Sequence, residues 1–143
     1  MTELYQDAIV ALAKSATRAG RLQPADASLT RDNPLCGDRV TLDIRLDGAR
    51  IAELAHRVRG CLLCEAAASV IGAQAIGKTA ADIEAAERGV RALLETGRKD
   101  PALWPGLESF SPVHDYASRH TCVLLPFETL RELLSQAAGR NTP

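Results

Sequence analysis

Arg39-Val40-Thr41-Leu42-Asp43-Ile44-Arg45-Leu46-Asp47-Gly48 is the stretch that decides the fold class. Val40, Leu42, Ile44 and Leu46 alternate with Thr41, Asp43, Arg45 and Asp47, the period-two pattern of a strand with one wet face. Asp47-Gly48 is a turn signal, and Ile51 onward returns as a second strand. The alternation slips after Ile51, because Leu54, His56 and Val58 follow the other phase. A bulge, or a break into a third short strand, accounts for that slip. The expectation is a small antiparallel meander of about three strands.

Outward from the meander the period becomes helical. Residues 3–19 form an amphipathic helix on Leu4, Ala8, Ile9, Leu12, Ala13 and Ala16, with Thr2 as N-cap and Gly20 past its end. Residues 20–35 carry Gly20, Pro24, Ser28, Asn33 and Pro34 with little periodicity and read as a loop. After the sheet ends at Arg59-Gly60-Cys61, residues 62–76 make an alanine-rich helix closed by Gly77. Thr79-Ala80-Ala81-Asp82 has the form of a capping box and opens a helix carrying Ile83, Ala86, Val90, Leu93 and Leu94, stopped near Gly97. Residues 98–112 form a long connection pinned by Leu103, Trp104, Leu107 and Phe110. A last helical region covers 113–138, bent at Pro126. The class is α+β: a small antiparallel sheet packed with an N-terminal helix and several C-terminal helices, in one domain spanning residues 1–143.

A formal net charge of -1 leaves no basic excess to neutralise phosphates, and aromatic residues at 3% supply no stacking platform, so nucleic acid is not the expected partner. Apolar runs are broken by charge well short of a bilayer span, so no membrane segment is expected. Glu3 and Asp7 stand where a secretory signal would be basic, which makes the expected location cytoplasmic. In that reducing compartment the four cysteines read as metal or catalytic ligands before they read as disulfides.

Asn33-Pro34-Leu35-Cys36-Gly37-Asp38 offers a thiol and a carboxylate on a loop made irregular by Pro34 and Gly37. Cys61 stands at a strand-to-helix junction, where the helix N-terminus is expected to lower its pKa. Cys122 follows Arg119 by one helical turn, so the guanidinium is placed to stabilise a thiolate. Cys36, Asp38, Cys61 and Cys122 together make a four-ligand set suited to tetrahedral zinc or to an iron–sulfur unit with one exchangeable ligand. Each cysteine alone is equally well a small buried hydrophobe. Cys64 is read as core packing, His56 as a surface or sheet residue, and Asp38 alone as a turn residue. His114 and His120 are ligands by chemistry only, and a Cys61–His56 hydrolase nucleophile lacks an orienting acid.

Three motifs in order resemble the IscU/NifU N-terminal scaffold family for iron–sulfur cluster assembly. They are the loop 33–38, Gly60-Cys61 before Ala66-Ala67-Ala68-Ser69, and Arg119-His120-Thr121-Cys122-Val123-Leu124-Leu125. The IscU-type third motif has histidine immediately before its cysteine, whereas this chain has Thr121. Together with the long Cys61–Cys122 interval and Arg119, this resembles the SufU branch. The resemblance implies zinc bound by Cys36, Asp38, Cys61 and Cys122. It also implies persulfide sulfur taken from a SufS-type, pyridoxal-phosphate-dependent cysteine desulfurase and passed to downstream iron–sulfur assembly machinery. The sulfur acceptor expected on this reading is Cys36, with Arg119 keeping displaced thiolates ionised. The alternatives are a scaffold for a transient [2Fe–2S] cluster and a zinc-stabilised interaction domain. At most, then, the chain is a zinc-dependent sulfurtransferase acting with a desulfurase, and otherwise it is a non-enzymatic scaffold.

Overall fold

A computed structural model describes residues 7–35 and 37–140, with side chains described through residue 138. Helix α1 spans Asp7–Ser15 and is followed by strands β1 (Ala27–Asn33), β2 (Asp38–Asp47) and β3 (Arg50–Arg59). Helices α2 (Leu62–Gln74) and α3 (Ala80–Thr96) come next, then two 3-10 helices, Leu107–Asp115 and Ala117–Arg119, and finally α4 (His120–Arg140). The strands form one antiparallel sheet in the order β1-β2-β3. Helices α2 and α4 pack on the sheet, α1 lies against α2, and α3 lies against α4.

The β2–β3 hairpin has the slip in alternation that the sequence requires. Arg45 pairs with Glu53 but Leu46 pairs with Ile51, so Ala52 is the extra residue of a bulge and β3 continues unbroken. Ile51 and Leu54 can therefore both point inward, and both are buried. Beyond the bulge the core-facing rungs are Ile44–Leu54, Leu42–His56 and Val40–Val58.

The third strand is not in the expected place. It is β1, inside the stretch 20–35 read as a loop, and it pairs with β2 from Ala27↔Ile44 to Asn33↔Asp38. Its sequence Ala27-Ser28-Leu29-Thr30-Arg31-Asp32-Asn33 buries only its two end residues, as an edge strand does, so no apolar alternation marks it. The outer face of β2 also differs from expectation, because Asp43 is fully buried. Its carboxylate accepts hydrogen bonds from Arg21 Nε at 2.6 Å, Ser28 Oγ at 2.6 Å and the Leu22 amide at 3.0 Å. Burial alone would raise the Asp43 pKa, but these donors outweigh it and hold the carboxyl below its ordinary range.

Helix α1 stops at Ser15, short of the expected residue 19. Ala16 and Arg18 adopt positive φ (44° and 65°), and the chain turns to run beside β3. There His56 Nε2 donates to the Thr17 carbonyl at 2.7 Å, the His56 amide donates to Arg18 O at 3.1 Å, and Gly20 N donates to His56 O at 2.8 Å. The same Thr17 carbonyl lies against Gly72 of α2, where any Cβ would collide with it. His56 is thus a buried sheet residue and not a surface one. The expected N-cap Thr2 lies outside the described residues.

The capping box of α3 forms as read: Asp82 Oδ2 accepts from Thr79 N at 2.9 Å, and Thr79 Oγ1 accepts from Asp82 N at 3.3 Å. Gly97 ends the helix at φ 75°. Leu107 and Phe110 are fully buried and pin the following connection, which winds into a 3-10 helix where plain loop was expected. Residues 113–115 and 117–119 are accordingly 3-10, with Tyr116 between them, and α4 begins only at His120. Pro126 lies within α4, which continues through it to Arg140. No helix among the described residues is long and apolar enough to cross a membrane.

The latch at His56 yields a pH prediction. Burial lowers the His56 pKa, with the Thr17 hydrogen bond opposing, so the folded protein refuses a proton that the unfolded chain accepts. The stability this contributes is intact above about pH 6.5 and is lost as pH falls below that value. His56→Gln keeps an amide donor and removes the titration. Its urea midpoint should therefore fall less steeply than that of the wild type between about pH 6.5 and pH 5. Parallel midpoint curves would disprove the assignment.

Candidate metal centre

The core-facing row of β2 reads Ile44, Leu42, Val40, and its next member is Asp38. This carboxylate is only 2% exposed. Beside it, β3 ends and Gly60 leads into α2. A Cβ on Gly60 would overlap the Asp38 carboxyl group, so the absent side chain is what makes room for it. The Cys61 amide then donates to Asp38 Oδ1 at 2.9 Å, and Cys61 Sγ lies 3.5 Å from Oδ2.

Cys61 is the N-cap of α2, in extended backbone (φ -77°, ψ 165°) and half-buried. Cys122 is the third residue of α4 and fully buried. The ligand atoms of Asp38, Cys61 and Cys122 all lie within 4.8 Å of one another. Donors around a tetrahedral zinc stand about 3.8 Å apart or less, so a modest contraction brings these three into range. Two thiols and one carboxylate also match the soft and borderline preferences of zinc and of iron in thiolate sites, so the donors fit either group.

The expected lowering of the Cys61 pKa is not the net result. Burial pushes the thiol up and the Asp38 carboxylate adds to this, outweighing the backbone hydrogen bonds from Cys64 and Leu63 and the Cys122 side chain. The helix N-terminus acts in the expected direction and loses to desolvation.

Cys36 lies outside the described residues. Its loop is closed by the Asn33↔Asp38 rung, by Leu35 N donating to Asn33 Oδ1 at 3.1 Å and by Gly37 N donating to Asn33 O at 2.8 Å. Gly37 takes φ 73°, which favours glycine, and Leu35 projects into solvent at 85% exposure. Arg119, half-buried, ends the short 3-10 helix that leads into Cys122. Thr121 is exposed. Cys64 is fully buried within the core and stands outside the three-residue group. His114 Nδ1 and His120 Nε2 are engaged with the carbonyls of Leu94 (2.8 Å) and Val113 (3.0 Å). The contribution of Gly60 was not evident beforehand. Its signals were its position between a strand end and a cysteine and its place in the Gly60-Cys61 motif.

The α+β chain thus gathers two thiols and a carboxylate where a sheet meets two helices, a donor set that could hold a metal ion. A family model described as NifU-like N terminal domain matches residues 4–102, and the chain belongs to this family. Among its relatives is the iron–sulfur cluster assembly scaffold protein IscU of Thermotoga maritima, 24% identical over 93% of this chain and 94% of the relative. Another is the zinc-dependent sulfurtransferase SufU of Bacillus subtilis, 26% identical over 96% of this chain and 94% of the relative. The crystal structure of a NifU-like protein (N-terminal) from Brucella abortus superposes with a TM-score of 0.89 at 30% identity, covering 96% of both chains. The family match ends before Cys122, whereas the structural likeness covers 96% of the chain.

The packing at Gly60 can be tested directly. Gly60→Ala should expel the Asp38 carboxylate and weaken zinc binding by about tenfold or more, as for other groups that orient a ligand. Adding Asp38→Ala should cost little further, because both changes remove the same contact. Zinc titration with a chromophoric chelator checks this, and wild-type affinity in Gly60→Ala would refute it.

Proposed function

We propose that this protein accepts sulfur for iron–sulfur cluster assembly, taking it as persulfide from a pyridoxal-phosphate-dependent cysteine desulfurase while holding zinc through Cys36, Asp38, Cys61 and Cys122. The observation that carries the reading is the convergence of buried Asp38 and Cys122 with half-buried Cys61 beside the β1–β2 connection. The similarity to a zinc-dependent sulfurtransferase over nearly the whole chain supports it, as does exposed Thr121 in place of an IscU-type histidine.

In the transfer, the Cys36 thiolate attacks the outer sulfur of the donor's Cys–S–SH. The donor's S–S bond breaks, the donor cysteine leaves as thiolate, and Cys36 becomes the persulfide. Zinc, when bound, supplies positive charge that keeps the thiolates deprotonated. The chain contributes the rest. Core packing fixes Cys61 and Cys122, the Gly60 gap fixes Asp38, and exposed Leu35 gives a partner an apolar contact next to the acceptor. Arg119 is assigned to stabilising thiolates that leave the metal.

A second reading is a scaffold on which a transient [2Fe–2S] cluster assembles on the same thiolates, favoured by the IscU-named relative. Protein purified without added metal separates the two. One tightly held zinc supports the sulfur acceptor, whereas iron and sulfide with visible absorption support the scaffold.

Two further outcomes are expected. Cys36→Ser should gain no sulfur atom by mass spectrometry after incubation with desulfurase and cysteine, and wild-type sulfur uptake by this variant would exclude Cys36 as acceptor. Zinc affinity should also depend on pH. Because burial raises the Cys61 pKa, the metal-free thiol holds its proton near neutrality and must release it on binding. Affinity should thus weaken about tenfold for each pH unit that the solution is made more acidic, per proton displaced, with matching proton release by calorimetry in buffers of different ionisation enthalpy. A pH-independent affinity would contradict this.

A further inference from the structure

The outer face of the sheet is uneven in charge and cover. Its middle is closed by Arg21 and Leu22 bonding to Asp43. Its end nearest the metal centre is open, and there Arg39 of β2 stands directly opposite Arg59 of β3, with Arg57 in the next outward rung opposite Thr41. All three arginines are exposed. The one acid on this end is Asp32 of β1, opposite Arg39 and held to it at 2.6 Å. Among the described residues Arg57 and Arg59 form no ion pair or side-chain hydrogen bond. Like charges directly opposite on paired strands are destabilising, and Asp32 balances only one of the three. Positive charge is thus concentrated at one end of a chain whose formal net charge is -1.

This end is also concave. A cleft of about 430 Å³ is lined by Asp32, Gly37, Arg39, Arg59 and Gly60. Gly37 adjoins Cys36 and Asp38 in the chain, and Gly60 adjoins Cys61, so an occupant of the cleft sits beside the ligand segments. Exposed Leu35 (85%) and Leu62 (36%) follow from those same segments. Apolar contacts with charge alongside are the composition of a protein–protein interface. Three arginines are too few for a nucleic-acid footprint, which commonly uses about six or more phosphate contacts.

We infer that the Arg39–Arg57–Arg59 end of the sheet is a docking face for an acidic surface of the protein that delivers sulfur. This rests on the sulfur-acceptor reading and adds to it where the donor sits. Opposite charge across such a face guides encounter and sets orientation, and it is screened by salt.

The test is sulfur transfer from the desulfurase of the same organism to the full-length, zinc-loaded protein, titrated at about 50 and 200 mM salt. For the wild type, the half-saturating concentration should rise with salt. Arg57→Glu/Arg59→Glu should raise it about tenfold at low salt and flatten its salt dependence, with zinc content and circular dichroism retained. Arg98→Glu/Lys99→Glu makes the same change in net charge on an exposed segment elsewhere and should leave half-saturation as in the wild type. Unchanged half-saturation in the Arg57/Arg59 variant, or an equal effect in the Arg98/Lys99 variant, overturns the docking face. So does an effect of the reversals on binding to RNA or anionic vesicles with none on the desulfurase. If the wild type takes up no sulfur under any condition, the sulfur-acceptor reading itself falls, and the docking face falls with it.

Discussion

The contact on which the rest of the structure depends is the Asp38 carboxylate seated over Gly60, accepting the Cys61 amide. An ionised carboxylate taken out of water carries a penalty of several kcal/mol unless donors or a cation compensate it. Here it occupies the last position of an otherwise apolar row, where Ile44, Leu42 and Val40 have already committed β2 to face the helices. Fixing Asp38 therefore fixes where the sheet stops. The same hydrogen bond fixes where α2 starts, since Cys61 is its N-cap. Sheet, helix and site are one arrangement at this point.

The helices give Cys61 and Cys122 their rigidity. Helix α2 is buried nearly all round by small side chains, Ala66, Ala67, Ala68, Ser69 and Gly72, which let α1 and the 16–20 segment approach closely. Helix α4 carries Cys122 on a face continuous with Val123, Phe127 and Leu130, all fully buried. Neither Cys61 nor Cys122 can move far without opening the core. The β1–β2 loop is different: it is short, closed by Asn33, and presents Leu35 to solvent.

What the sequence revealed follows from how local each feature is. The β2–β3 hairpin and the slip in its alternation were legible because they are properties of neighbouring residues, while the structure decided for a bulge over a break into a third strand. The capping box at Thr79 was legible for the same reason. Strand β1 was not, because an edge strand with mostly polar side chains draws its identity from a partner elsewhere in the chain. The early stop of α1 likewise depends on His56 and Gly72, far away in sequence. At the site, residue types and order pointed to Asp38, Cys61 and Cys122, and the fold brings those three together. The sign of the Cys61 shift was not readable, because it turns on burial, which local sequence does not reveal.

The geometry also bears on which ligand exchanges. In the proposed set of three sulfurs and one oxygen, the lone oxygen is by chemistry alone the natural one to let go, and a scaffold with a labile fourth position would use Asp38 that way. The packing opposes this. Asp38 is almost fully buried, fills a gap that only glycine leaves, and accepts a backbone hydrogen bond that also caps α2. Releasing it from a metal would leave a buried carboxylate without its cation, at a cost of several kcal/mol. On the proposed ligand set, the oxygen is therefore the anchor, and exchange is expected at one of the sulfurs.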